Sequence, residues 1–241
     1  MKLWRIIIRY NIYNMCWNAD ISINTFLFGM LSLFFIYFVN TFTKYKMKIF
    51  ENPFMYFIIF SFVIMQLIEF FLWKNLKNKR ANMVFSILGF IILMIQPVIL
   101  MLYDTYESGN ITQFIKIFSL YSIGWIGFLL YKYFYNPIDL ITTIGKYGHL
   151  SWNWLHFKKL EGIIYIFLYF SYIVYSFLYL SKNIDVFYKY LFFITAILSK
   201  FLYYNTGEFG SLWCWVINMY LLILLVNILL VKPFYEYNGL C

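Results

Sequence analysis

Residues 207–231 read GEFGSLWCWVINMYLLILLVNILLV, and this stretch decides the fold. From Phe209 to Val231 no side chain carries a charge. About 20 apolar residues at 1.5 Å rise cover the roughly 30 Å of a bilayer's hydrocarbon, so the stretch predicts a membrane-spanning helix. Its opening is unusual, because an acid, two glycines, a serine, a cysteine, two tryptophans and an asparagine crowd into 207–218. At 100° per residue, Trp215, Ser211, Asn218 and Cys214 fall at about −20°, −60°, −80° and −120° from Glu208. The polar groups share one third of the helix circumference. Such a stripe is costly against lipid and points into a bundle or water.

The rest of the 241-residue chain is written in the same style. With 63% hydrophobic residues and 12% charged, it has too little polar surface to cover a soluble globule. Six further apolar windows lie near 22–40, 53–73, 83–103, 112–134, 162–180 and 186–204, which with 209–231 predicts seven spans. Backbone polar groups in lipid must be paired internally, and runs this long and unbroken are not the short alternating strands of a barrel. The expected fold is all-α, a polytopic membrane helix bundle forming one integral membrane domain over 1–241. The net charge of +9 comes from 19 lysines and arginines scattered through short loops, where positive charge records membrane orientation and not a nucleic-acid site. Three cysteines, Cys16, Cys214 and Cys241, have no disulfide-framework spacing.

Taken in order, residues 1–19 read as an interfacial segment carrying Cys16 and Trp17. Asp20 or Ser22 is expected to cap the first span, whose Ser22, Thr25, Gly29 and Ser32 form a small-residue face suited to close packing. Pro53 suits the start of the second span, and Gln66, Glu69 and Trp73 share a stripe toward its end. In the third span Gln96-Pro97 predicts a kink, with the glutamine satisfying freed carbonyls. Asp104 and Glu107 make the next turn acidic. The one long loop, 135–161, starts with Asn136-Pro137 and Asp139, which read as the start of a short surface helix, and ends in GHLSWNWLH, containing both histidines, His149 and His156. Tyr165, Tyr169, Tyr172 and Tyr179 line one face of the fifth span, and Lys200 near the end of the sixth suits snorkelling to the interface.

Alternation of span direction puts Cys16, Trp17, Glu69, His149, Trp152, Lys200 and Glu208 to Cys214 on one side of the membrane. That side carries 12 of the 19 lysines and arginines against 7 on the other, which predicts a cytoplasmic N-terminus and a C-terminus opposite. A polar pocket at this face is expected to draw on Cys16, Trp17, Glu69, Gln96, His149, Trp152, Lys200, Glu208, Ser211, Trp213, Cys214 and Asn218. Reducing conditions there argue against a Cys16–Cys214 disulfide.

Cys16-Trp17 before a first span, Glu69 in the second, Gln96-Pro97 in the third, His149-Leu150-x-Trp152 in the long loop and Gly207-Glu208 with Trp213-Cys214 in the last form a pattern over most of the chain. The pattern resembles a seven-helix multi-pass membrane family of microbes and large DNA viruses. The resemblance implies a seven-span bundle and carries no established chemistry with it.

Three function classes compete. A membrane-embedded metal-dependent hydrolase would use Cys16, His149, Glu208 and Cys214 as ligands, thiolate, imidazole and carboxylate being the groups zinc takes. Neither CxxC nor HExxH supports it, and no cofactor is specified. A transporter or receptor would place a small molecule or lipid in the pocket. A structural membrane protein would use the same residues as helix braces, with Trp17, Trp73, Trp152, Trp154 and Trp213 as interface anchors. A retinal protein is excluded, since no lysine lies between Phe201 and Val231. The bilayer is the one partner common to all three.

Overall fold

A computed structural model describes residues 18–155, 160–176, 186–202 and 207–238. It is an all-α bundle of helices α1 (Ala19–Phe42), α2 (Phe54–Lys74), α3 (Lys79–Ser108), α4 (Ile111–Tyr135), α5 (Leu160–Tyr175), α6 (Val186–Leu202) and α7 (Phe209–Val226). Beyond α7 a π-helical turn, Asn227–Val231, runs into the short α8 (Lys232–Tyr237). Among the described residues five helices are long and apolar enough to cross a membrane: α1, α2, α3, α4 and the continuous run from α7 to α8. As described, α5 and α6 have 16 and 17 residues.

Helix ends follow local chemistry. Asn18, and neither Asp20 nor Ser22, caps α1, its side-chain oxygen accepting from the Ile21 amide at 2.9 Å. The correction is geometric, since the cap must precede the first helical turn to reach its free amides, and Asp20 and Ser22 already lie inside it. Pro53, lacking a donor, stands at the entry to α2. Asn78 and Asn110 cap α3 and α4, and α3 stops at Gly109, whose φ of +70° suits a residue without a side chain. Pro97 lies inside α3, which continues past it. Gln96 does not serve its own helix: its amide donates to the Ser61 carbonyl of α2 at 3.3 Å and accepts from the Tyr169 hydroxyl of α5. One polar side chain therefore links three helices.

The core is built on α2, whose apolar window is 61% buried, whereas that of α4 is 6% buried. α2 packs against α1, α3 and α7, and α1 also contacts α7. Close approach requires small residues. A Cβ on Gly29 would lie 2.7 Å from the Asn218 Oδ1 of α7 and 2.8 Å from both Val63 methyls of α2. By contrast α4 buries only Trp125 and Lys132, the first edge-on to Phe90 at 5.9 Å.

The long loop contains an element absent from the expectation, a two-stranded antiparallel hairpin of β1 (Thr142–Ile144) and β2 (Leu150–Trp152). Before it, Asn136-Pro137 opens a single 3-10 turn, Pro137–Leu140, and Asp139 pairs with the buried Lys132 ammonium at 2.7 Å. At the opposite end of the bundle α8 is tied to the α1–α2 connection by a Lys44–Glu236 ion pair and a bond from Lys232 to the Lys46 carbonyl.

Candidate functional site

The hairpin is held from both sides. On one side Asn82 pairs its amide with the backbone of Thr142, accepting its N–H at 2.8 Å and donating to its carbonyl at 2.9 Å, while Ser86 meets the Thr142 hydroxyl at 2.7 Å. Asn82 and Ser86 lie one turn apart on α3, so a strand end is bound as if to another strand. On the other side the Trp152 amide donates to the Gly207 carbonyl at 3.2 Å. Below, the Trp152 indole covers Gly89 so closely that a Cβ there would enter the ring. Trp152, Trp154 and Phe90 continue as an edge-to-face stack.

The loop 145–149 folds around the Glu208 carboxylate. The Tyr147 amide donates to it at 3.1 Å and the His149 amide at 3.2 Å, with the Lys146 backbone beside them. Gly145 lies against the same carboxyl with no room for a Cβ, and Gly148, at φ +86°, turns the loop so that its amides converge. Burial pushes the Glu208 carboxyl above its ordinary value, and the backbone donors oppose that shift. Burial also pushes the His149 imidazole down to about 4. The Glu208 side chain is therefore a clamp that fixes the hairpin over the end of α7.

One turn further into α7 lies a second polar centre. Gln66 and Glu69 of α2 are fully buried, the Gln66 amide donating to Glu69 Oε2 at 3.4 Å. Ser211 and Cys214 of α7 stand beside the same carboxyl, and both are buried. Gln66 Oε1 and Glu69 Oε1 have no hydrogen-bond partner. Ser22 of α1, also without a partner for its hydroxyl, lies two turns from Gly29 on the same buried face. A Gly29 Cβ would meet Val63, so along the axis Ser22 and Glu69 lie about 10.5 and about 9 Å from that contact toward the hairpin end. Deeper in α7, Asn218 donates to the Cys214 carbonyl at 3.0 Å, and its own oxygen faces Gly29.

The twelve expected site residues thus fall into separate groups. Glu69, Ser211 and Cys214 come together, with Trp213 edge-on to Phe62 and Phe192 beside them. His149, Trp152 and Glu208 form the roof. Gln96 belongs to a different contact, with Tyr169, and Lys200 stands over the Phe209 ring at 5.1 Å. Asn218 sits below the Glu69 centre, and Cys16, Trp17 and His156 lie outside the described residues. Among the described residues no group of three or more His, Cys, Asp or Glu side chains is placed to hold a metal ion. The residues missed were Asn82, Ser86, Gly145 and the loop amides. Asn82 and Ser86 had a signal, two small polar residues four apart at the start of an apolar span, whereas backbone donors leave none.

A separate apolar cleft of about 270 Å3 lies between α3, α4 and α5, lined by Met101, Tyr121, Gly124 and Tyr172 among others. It does not coincide with either polar centre. Comparison of the chain with family models, with curated proteins and with solved structures yields no match.

Proposed function

We propose that the protein is a seven-span integral membrane protein of the carrier or receptor kind, which binds a small polar solute at the Glu69 centre beneath the hairpin. The observation that carries the reading is the Glu69 carboxyl itself, fully buried in the most enclosed helix with one oxygen unpartnered. A polar group withdrawn from water without a partner costs several kcal/mol, and leucine would fill the same space without that cost. Carboxyls retained inside spans mark solute or ion paths. The apolar character of α5 and α6 supports a count of seven spans, and the charge bias of 12 to 7 supports a cytoplasmic hairpin face. The metal-hydrolase reading draws no support from the described residues.

Two experiments test this reading. Cysteine labelling of Lys146→Cys and Asn183→Cys, in a background lacking native cysteines, should give opposite sides, with 146 reached from the cytoplasm. Labelling of both from one side would end the seven-span count. Thermal unfolding of purified protein against a panel of amino acids, amines, sugars and nucleosides should find a compound that raises the midpoint of the wild type and not of Glu69→Gln. A panel in which no compound separates the two proteins overturns the solute reading.

A further inference from the structure

We infer that the Glu69 centre is a binding site for an alkali-metal cation, held by Glu69 Oε1, Gln66 Oε1 and the hydroxyls of Ser22 and Ser211. The inference rests on the same centre as the solute reading and adds a second ligand class to it. Three observations lead there. First, three buried oxygens stand without a partner, Gln66 Oε1, Glu69 Oε1 and Ser22 Oγ, each on a residue at least nine-tenths buried; the indole N–H groups of Trp73 and Trp213 are also unpartnered, but a donor satisfies one oxygen at a time. A proton on Glu69 Oε1 would neutralise the carboxyl and supply a donor for Gln66 Oε1, but it would leave the Ser22 hydroxyl unmatched. A hard cation accepts carboxylate, amide and hydroxyl oxygens together.

Second, the charge fits a monovalent ion. Glu69 makes no ion pair among the described residues, and the titratable group that faces it from α7 is the Cys214 thiol. One carboxylate and one monovalent cation are neutral together, whereas a divalent ion would leave a net charge in a low-dielectric interior. Third, the Gln66 amide donates to Glu69 Oε2, which holds the two side chains side by side and leaves Gln66 Oε1 as a free acceptor. The oxygens come from α1, α2 and α7, the three helices of the tight core, so an ion there would bind them to one another.

The test uses purified full-length protein and sodium as the probe. Thermal unfolding is followed against sodium chloride at constant ionic strength, with choline chloride making up the balance at pH 8. Sodium should raise the midpoint saturably in wild type and have no effect in Glu69→Gln. Ser211→Ala, which keeps the carboxylate, should raise the half-saturating sodium concentration roughly tenfold, the loss of one ligand oxygen. If Glu69→Gln fails to fold, Ser211→Ala alone decides. Equal midpoints in sodium and choline, or a sodium effect unchanged in the variants, overturns the inference. Sodium independence with a retained solute effect leaves the solute reading standing, and sodium dependence with no active solute does the reverse.

Discussion

The Glu208 carboxyl packs directly against Gly145, with no space for a side chain between them, across 63 residues of sequence. The contact brings the Tyr147 and His149 amides onto the carboxylate. Hydrogen bonds to a charged acceptor are worth about 1.5–3 kcal/mol each, and losing one partner of a buried set costs most. Glu208→Ala and Gly145→Ala should each destabilise the hairpin by about 2–3 kcal/mol, and Glu208→Gln by less. Amide exchange at Tyr147 and His149 measures this directly. Unchanged protection in Gly145→Ala would show that the loop relaxes without cost.

Acid should loosen the same hairpin. The buried His149 has its affinity for protons lowered to about 4 from an ordinary value near 6.5. Its neutral form is the folded one, so its contribution is complete above pH 6.5 and is lost as pH falls toward 4, to the extent of about 3 kcal/mol. Glu208 acts in the opposite sense, because burial raises its carboxyl and its contribution grows as the proton is taken up. Limited proteolysis within 142–152 should accelerate between pH 6.5 and 4 in the wild type. His149→Gln should remove most of that acceleration, and an identical pH profile in the variant would assign the effect elsewhere.

The packing of three helices at Gly29 can be read by substitution. Gly29→Ala places a Cβ 2.7 Å from Asn218 Oδ1 and 2.8 Å from the Val63 methyls, overpacking that costs about 1–3 kcal/mol. Val63→Ala removes two of the three colliding atoms. The double variant should therefore recover part of the loss in a thermal-unfolding cycle. Strict additivity would mean that α1 moves away from α2 as a body.

Tyr169→Phe removes the hydroxyl that Gln96 accepts, and Gln96→Leu removes the acceptor. Each should cost about 1 kcal/mol or slightly more for the partner left buried. The double variant should cost less than the two added together, since neither partner is then orphaned. Coupling near zero would detach α5 from this contact.

The helices were legible in the sequence because each apolar run is longer than a strand and ends at a residue with a mechanism, such as Pro53 or Gly109. Glu69 and the Ser211–Cys214 stripe were legible for the same reason, as polar residues stand out against hydrocarbon. The hairpin was not. Its strands are three residues each, too short for period-two alternation to register, and its partners Asn82 and Gly207 lie 60 or more residues from Thr142. Helical geometry placed Glu208 on an inward stripe beside the long loop, and it is buried there; what the sequence does not show is that its partners are the backbone donors of 146–149. Backbone amides are the same in every residue, so no pattern of side chains announces them.

The distance along the chain between the hairpin and Glu208 also fixes the order of assembly. Synthesis delivers 142–152 well before 207–208, with α5 and α6 between them. Until the last helix is threaded into the bilayer, the loop amides of 147 and 149 have no carboxylate to meet. Closure of this contact is therefore a late event, possible only after the segments of α5 and α6 have been synthesised. A chain that ends before Gly207 lacks this carboxylate, so the amides of 147 and 149 lose the acceptor that gathers them and the hairpin keeps only its hold on α3.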